Sequence, residues 1–351
     1  MKIKVAVLDK DTNYLQKLVS IFTNKLSDKL EVCSFTDLNI ALQSLQEARI
    51  NVLLVSDSFN IEEAQIPKRC GFAYLVESPD IETFNGQRAV CKYQKFEVIY
   101  KTVLEIFSEH VSESIGMRFD GDSSVRVLTF VSPSGGAGSS SAAAACAKTL
   151  AAMGKKVLYL NLEQLSSSDL FFGGDGQTDF GDVIFALKSK KSNLSIKLES
   201  NVKRDASGVY FYSAPKTALD MLELNLEEIK RLMTDLKLTG SYDDIVFDMD
   251  FSLHAFAMEI FKKSASIVFV LDGSELSNSK FLSVYKAFEI LDAQDISLLS
   301  RVCIFYNKFS NKTGRALDEG IRVLGGAPKY EYATTSQVVE QLVGLGVFQS
   351  I

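Results

Sequence analysis

The sequence has no tryptophan and only two histidines, His110 and His254, which lie far apart in the chain. A histidine-rich metal centre or a paired-histidine mechanism therefore has too few residues, although a lone histidine base stays open. The five cysteines are scattered, odd in number and form no CxxC pair. We therefore expect free, mostly buried thiols in a protein from a reducing compartment.

An excess of basic residues is also missing, because 38 Lys+Arg stand against 44 Asp+Glu and give a formal net charge of −6. Nucleic acid is not an expected partner, since sequence-independent binding of nucleic acid needs a basic face. No apolar run approaches the roughly 18–20 residues of a membrane-spanning helix. The segment MKIKVAVLDKD has the pattern of a strand and not of a signal peptide. We expect a cytoplasmic protein without direct membrane insertion.

The 351 residues, 46% of them hydrophobic, suffice for two domains that each bury a core. Apolar strand patterns alternate with helix patterns in residues 1–109 and again in residues 125–351. Residues 110–124 are polar and aperiodic, which predicts a linker. The alternation predicts an α/β fold of two doubly wound domains with parallel sheets. The predicted strands are 3–8, 32–35, 51–55, 72–76, 89–91, 126–131, 156–160, 208–212, 244–247, 266–271 and 302–306.

The strongest local pattern is the segment SPSGGAGSSS, which lies between a predicted strand and a predicted helix over residues 140–153. A glycine-rich turn between a strand and a helix presents successive backbone N–H groups that can hold a phosphate. A tight turn that packs closely and binds nothing has the same local pattern, so this alternative stays open. Phosphate binding is favoured, and the candidate residues are Ser134, Gly135, Gly136, Ala137, Gly138, Ser139, Ser140 and Ser141.

This segment resembles the deviant Walker A loop of the ParA/MinD ATPases, which is written KGGxGK[ST][ST]. Ser134 and Ser139 stand where that family has its two lysines, while the glycines of the loop are kept. Ser140 matches the hydroxyl that the family uses as a magnesium ligand. The resemblance implies that ATP and Mg²⁺ are the cofactors.

Later segments extend the resemblance over residues 125–351. Asp248 follows an apolar strand and resembles the Walker B acid, which makes it a possible magnesium ligand together with the loop hydroxyl. Asn307 follows another strand and resembles the asparagine that reads adenine. Asn161 and Glu163 stand where the family has acids near the attacking water and the metal, so one of those acids has become an amide.

The substitutions in the loop predict a protein that binds a nucleotide but is a poor catalyst. Backbone N–H groups can still hold the phosphates, and Ser140 with Asp248 can still organise Mg²⁺. Without a lysine at 134 or 139, the charge that develops on the transferred phosphoryl group is poorly stabilised. The amide at Asn161 further weakens control of the attacking water. We therefore expect weak or absent hydrolysis.

The first domain resembles a response-regulator receiver. Asp9 matches one of the two acids that hold magnesium, Asp57 matches the phosphoacceptor and Lys92 matches the family's lysine. Lys10 stands where the second acid is expected, so the metal site is weakened. Solvated loop residues at strand ends would have the same residue types. We favour a receiver-shaped protein-interaction module over a phosphorylated one.

The two domains together resemble the TadZ/CpaE proteins, which are implicated in positioning the assembly machinery of Flp-type (tight adherence) pili at a bacterial cell pole. The resemblance implies a homodimer with nucleotide near its interface, and contacts to pilus-assembly proteins through the receiver-like domain. The alternative is an active ParA/MinD-type ATPase switch for polar positioning or partition, controlled through the receiver domain. The absent loop lysines disfavour it, and the tail SQVVEQLVGLGVFQSI lacks the basic residues of a MinD-type membrane helix.

Overall fold

The structure is a computed structural model. It describes residues 2–27, 29–67, 70–110, 125–189, 194–238, 241–293, 297–317 and 320–351. Contacts divide the chain into two units, residues 1–119 with 190–200 and residues 120–189 with 201–351. The predicted linker, residues 110–124, lies outside the described residues except for His110.

The first unit contains a six-stranded sheet with helices on both faces. Its strands are β1 (Ile3–Leu8), β2 (Leu30–Phe35), β3 (Val52–Ser56), β4 (Gly71–Val76), β5 (Thr83–Phe84) and β6 (Gln87–Cys91). Its helices include α1 (Thr12–Leu26), α2 (Leu38–Glu47) and α3 (Phe96–His110), with a 3₁₀ turn at Glu63–Gln65. The strand order is β2-β1-β3-β4-β6-β5, and the pairs are parallel except for β5 with β6.

Helix α1 shows why the sequence forms these elements. The Asp11 carboxylate accepts hydrogen bonds from the backbone N–H groups of Asn13 and Tyr14, so it caps the first turn. Apolar residues at three- and four-residue intervals place one face of the helix against the sheet, and Leu15 and Phe22 on that face are buried. Helix α2 packs on the opposite face of the same sheet, and this second face has a separate hydrophobic core.

The second unit contains an eight-stranded sheet. Its strands are β7 (Arg126–Val131), β8 (Val157–Asn161), β9 (Lys203–Arg204), β10 (Tyr210–Phe211), β11 (Asp244–Asp248), β12 (Ser266–Leu271), β13 (Val302–Phe309) and β14 (Arg322–Pro328). Its helices are α4 (Ser139–Ala152), α5 (Ser168–Phe171), α6 (Phe180–Ser189), α8 (Leu219–Leu222), α9 (Leu226–Leu238), α10 (Ala255–Lys263), α11 (Glu275–Asp292) and α12 (Thr335–Gly344). Two further 3₁₀ turns span Leu299–Arg301 and Val347–Ser350.

Strand β7 lies inside this sheet, in the order β14-β13-β12-β7-β11-β8-β10-β9. The helix that follows it, α4, buries a run of small residues, among them Ala142 and Cys146, against aromatic side chains such as Phe130 and Phe305. Small side chains let the helix approach the sheet closely. The loop that joins β7 to α4 is therefore held at the carboxyl edge of the parallel strands, the edge where open α/β sheets bind ligands.

The predicted fold class, two doubly wound α/β domains with largely parallel sheets, is confirmed. The antiparallel pairs β5–β6 and β9–β10 at the sheet edges depart from it. Strand β14 was also not predicted, because RVLGGAP contains two glycines and a proline, which disfavour a strand pattern. In the described part of the chain, no helix is long and apolar enough to cross a bilayer.

One helix differs from the predicted division of the chain. Helix α7 (Leu194–Asn201) lies in the sequence range predicted for the second domain, residues 125–351, yet residues 190–200 belong to the first unit. Ile196 is buried in the same core as the apolar residues of α1 and α3. Glu199 accepts a hydrogen bond from Tyr100 Oη at 3.1 Å and pairs with Lys29. A sequence pattern could not reveal which core this short helix completes.

Candidate functional site

The carboxyl ends of β1, β3 and β6 bring three polar side chains together in the first unit. The Lys92 ammonium lies 2.8 Å from Asp9 Oδ2 and donates to Ser56 Oγ at 3.0 Å. All three residues are buried, and the Ser56 hydroxyl gives the ammonium a further hydrogen bond that partly compensates for the water that the ion pair has lost. The structure thus brings Asp9 and Lys92, both predicted from the sequence, into direct contact.

Asp57, the third receiver candidate, lies beside this ion pair without joining it. Its carboxylate is 3.4 Å from Ser56 Oγ, and among the described residues it pairs with neither Asp9 nor Lys92. Side chains alternate along an extended strand, so a serine that faces the lysine leaves the next residue directed elsewhere. Ser56, one residue before Asp57, therefore holds the place beside Lys92.

Lys10 occupies the position at which a receiver has its second acid. It is exposed, and its ammonium lies 5.2 Å from the centre of the Phe59 ring, within the range of a cation–π contact. A magnesium-dependent phosphoacceptor needs carboxylates that are free to bind the ion. Here the ammonium of Lys92 neutralises Asp9, so this arrangement favours a structural ion pair over phosphoryl transfer.

In the second unit, the loop between β7 and α4 has the backbone of an anion cradle. Gly135 and Gly136 have φ values of 67°, and Gly138, the residue before the first turn of α4, has a φ of 87°. Glycine adopts this left-handed conformation without the steric cost that other residues incur. Backbone N–H groups gathered in such a loop, together with the N-terminus of α4, attract an anion.

Ser134, at the place of the first loop lysine, is held by neighbouring hydroxyl groups. Its Oγ lies 3.3 Å from Ser132 Oγ and 3.2 Å from Ser277 Oγ. Ser277 is buried in the first turn of α11. These contacts satisfy the polar side chain inside its own unit, and they bring no positive charge to the loop.

A network of polar side chains lies next to the loop at the ends of β8 and β11. Ser140 Oγ in α4 donates to Glu163 Oε1 at 3.0 Å. The Asn161 amide donates to Glu163 Oε2 at 2.8 Å and to Asp248 Oδ2 at 2.9 Å. Tyr159 Oη also donates to Asp248 Oδ2, at 2.7 Å. The network joins the loop helix to both strands through direct hydrogen bonds.

Asp248 has the chemistry of a cation ligand. Burial raises the pKa of its carboxyl well above the usual value, and the nearby Glu163 carboxylate raises it further. Its Oδ1 is buried without a hydrogen-bond partner among the described residues. A cation at this position would satisfy the orphan oxygen and stabilise the charged form.

The residues around Asp248 fit Mg²⁺. Ser140, Asp248 and Glu163 supply oxygen ligands, which Mg²⁺ prefers, and Mg²⁺ commonly completes its coordination with water and substrate phosphates. No group of three or more His, Cys, Asp or Glu side chains suited to a metal occurs among the residues that the structure describes.

The end of β13 contacts the loop from the other side. Asn307 Nδ2 donates to the carbonyl oxygen of Ala137 at 2.8 Å, and Lys308 Nζ donates to that of Gly136 at 2.7 Å. Asn307 is buried, whereas Lys308 is exposed. An ammonium group therefore does reach the loop, although neither of its own lysine positions provides one.

The structure brings the predicted loop, Ser140, Asp248 and Asn307 into one site, and their role in nucleotide binding stays a prediction. Sequence reasoning did not assign Tyr159 or Lys308 to this site. Tyr159 lies two residues before Asn161 in the same strand, so strand alternation would have predicted that both side chains lie on one face. For Lys308, the available signal was its position directly after Asn307, because both residues follow the predicted strand 302–306.

Residues 1–108 match the family model described as TadZ-like, receiver domain. The matched range ends within α3, so it includes Asp9, Asp57 and Lys92 at the strand ends of the first unit. No protein with a curated description matches the chain.

Solved structures resemble the second unit. A ParA family ATPase from Chlorobium tepidum TLS is 20% identical over 65% of this chain and 98% of its own, with a TM-score of 0.52. The septum site-determining protein MinD from Pyrococcus horikoshii OT3, complexed with Mg-ADP, is 17% identical over 63% of this chain and 97% of its own, with a TM-score of 0.46. The first of these similarities shows that the chain contains the ParA-family ATPase fold.

Proposed function

We propose that this chain is a nucleotide-dependent localisation protein. Its first domain belongs to the TadZ-like receiver family and its second has the ParA-family ATPase fold, which together are the domain arrangement of the TadZ/CpaE proteins. It binds Mg·ATP at the loop between β7 and α4 and hydrolyses it slowly or not at all. Its role is that of a dimeric platform for the assembly of Flp-type pili.

The observation that carries this proposal is a loop that keeps its cradle and lacks its own cations. The left-handed glycines leave backbone N–H groups available to phosphates, and the helix N-terminus favours negative charge. Ser134 and Ser139 occupy both lysine positions. Binding by oriented backbone dipoles therefore survives, whereas the positive charge that stabilises a phosphoryl-transfer transition state is reduced.

The network at the strand ends supports the same division between binding and catalysis. Asp248, whose buried Oδ1 has no hydrogen-bond partner among the described residues, and the Ser140 hydroxyl can take part in holding Mg²⁺. When bound, the ion neutralises phosphate charge. Asn161 carries an amide that donates to Asp248 and Glu163, so it cannot act as a carboxylate that orients the attacking water.

The first domain serves, in this proposal, as the surface that meets pilus-assembly proteins. Its Asp9–Lys92 pair is buried, so recognition of partners is left to the exposed residues of the domain. The second domain forms a homodimer with nucleotide near the interface. The protein acts in the bacterial cytoplasm, at a cell pole. Its two working parts are residues 1–109, which helix α7 completes, and the remainder of residues 125–351.

The decisive experiment measures binding and turnover on the full chain. We expect calorimetry to detect saturable binding of Mg·ATP, and a phosphate-release assay to detect little or no turnover. Asp248→Ala should weaken the magnesium dependence of binding. Turnover at the rate of an ordinary ATPase of this fold, unaffected by Asp248→Ala, would contradict the proposal.

A second measurement tests whether the protein dimerises in a nucleotide-dependent way. Sedimentation with and without Mg·ATP, combined with analysis of co-purified nucleotide, should show a dimer whose population depends on the nucleotide. A monomer that is indifferent to ATP would remove the switch from the proposal. Glu289→Ala provides the control for Asp248→Ala, because Glu289 is an exposed acid of α11.

A further inference from the structure

Two successive carbonyl groups of the loop are held from the end of β13. Lys308 Nζ donates to Gly136 O at 2.7 Å, and the buried Asn307 Nδ2 donates to Ala137 O at 2.8 Å. The donors are neighbours in sequence and so are the acceptors. Two adjacent peptide groups are therefore fixed by two adjacent side chains.

Fixing these carbonyls also fixes the N–H groups of the same peptides. The bonds that join Gly136 to Ala137 and Ala137 to Gly138 are trans, so each carbonyl and the N–H beside it point in opposite directions. With both carbonyl oxygens directed at β13, the N–H groups of Ala137 and Gly138 are directed away from it. Parallel N–H groups of this kind are the donors of an anion site.

The close approach of Asn307 requires a glycine at the start of α4. A Cβ atom on Gly138 would lie 2.5 Å from Asn307 Nδ2 and 3.8 Å from Lys308 Cε. Lys308 itself has a φ of 59°, a conformation that costs a residue with a side chain free energy. Backbone strain of this type persists where the surrounding contacts over-determine it, as in ligand clamps.

Lys308 also brings a charge that the loop otherwise lacks. Its described partner is a carbonyl oxygen, and among the described residues no carboxylate pairs with it. A hydrogen bond to a neutral carbonyl leaves the full positive charge of the ammonium in place. That charge lies beside a loop whose Ser134 and Ser139 are neutral.

We propose that Asn307 and Lys308 are positioning residues for the triphosphate of a nucleoside triphosphate. They hold the Gly136 and Ala137 carbonyls so that the loop N–H groups meet the anion, and Lys308 supplies long-range positive charge in place of the two absent lysines. This inference rests on the proposed nucleotide binding. It goes beyond the adenine contact that the family resemblance implies for Asn307.

The test compares Lys308→Met, which keeps an unbranched side chain but removes the donor and charge, with Lys308→Arg, which keeps both. We expect Lys308→Met to raise the Kd for Mg·ATP by about tenfold or more, as a charge-assisted hydrogen bond contributes. Lys308→Arg should stay within about threefold of wild type. Lys312→Met is the matched control, because Lys312 is an exposed lysine of the following loop.

Two further readouts separate positioning from general stability. The Kd of wild type for Mg·ATP should rise with added NaCl more steeply than that of Lys308→Met, since the variant has lost a charge that salt screens. The melting temperature of the nucleotide-free variant should match that of wild type, because Lys308 is exposed. Equal Kd values for wild type and Lys308→Met would overturn the inference alone. A wild-type chain that binds no Mg·ATP would overturn the proposed function as well.

Discussion

Asn161 donates its side-chain N–H to the Asp248 carboxylate over 2.9 Å, and the two residues are paired directly across strands β8 and β11. An acid at position 161 would set a second negative charge against Asp248 in a buried place. The amide instead offers a donor to a carboxylate whose charged form burial disfavours. The amide at position 161, where the ParA/MinD resemblance expects an acid, thus supplies a donor that the buried Asp248 uses.

We predict that Asn161→Asp destabilises the nucleotide-free protein by about 1–3 kcal/mol, because it removes a donor shared by Asp248 and Glu163 and adds repulsion. Mg²⁺ should restore part of that loss, since a cation binds the enlarged set of carboxylates more tightly. Urea denaturation with and without Mg²⁺ measures both effects. Asn60→Asp, at an exposed position, serves as the control. A variant as stable as wild type without Mg²⁺ would show that the amide is dispensable.

We predict that the free energy of unfolding falls with rising pH because of Asp248. Burial raises its pKa above the unfolded value of 3.8, so the folded chain keeps a proton that the unfolded chain releases. From about pH 4 up to the raised pKa, the folded state binds more protons, and its stability decreases as pH increases.

Denaturation of the nucleotide-free protein without Mg²⁺, in steps between about pH 4.5 and 8, checks this slope. Asp248→Asn should flatten it and be more stable than wild type at the upper end of the range. Glu289→Gln, which alters an exposed acid of α11, should keep the wild-type slope. Identical pH dependence for wild type and Asp248→Asn would rule out the buried carboxyl as its cause.

We predict that Gly138→Ala abolishes nucleotide binding and costs about 3 kcal/mol of stability, since a Cβ would meet Asn307 at 2.5 Å in a left-handed conformation. Gly154→Ala is a close control. Gly154 has a φ of 86°, almost that of Gly138, but a Cβ there has nothing within 4 Å. It should cost only about 1 kcal/mol and leave binding intact. Equal costs at the two positions would mean that the approach of Asn307 does not matter.

We predict that Ile196→Ala destabilises the first unit by about 2–4 kcal/mol, although residue 196 lies in the sequence range of the second. Hydrogen exchange should show faster opening of α1 and α3, because the cavity lies in the core that they share with α7. Leu219→Ala, at a residue that is 68% exposed, should leave those amides unchanged. Unaltered exchange in α1 and α3 would contradict the assignment of α7 to that core.

Much of the candidate site could be predicted because parallel sheets align the ends of their strands. The glycines of the loop, Asp248 and Asn307 each follow an apolar strand, so they had to meet at one edge once those strands formed a single sheet. The structure also brings Asp9 and Lys92 together, two residues that the receiver resemblance had named singly. The role of Asp57 as a phosphoacceptor stays a prediction, and the structure places the side chain of Ser56, one residue earlier, against Lys92.

By itself, the sequence determined the two doubly wound α/β domains, the glycine conformations that the loop needs and the absence of lysine from that loop. These properties depend on hydrophobic periodicity and residue identity, which are local. Only the tertiary structure decided that Lys308 approaches the loop and that α7 completes the first core. Both depend on contacts between segments far apart in the chain: the position of Lys308 after Asn307 indicates the edge of the sheet where it lies, but not its contact with Gly136.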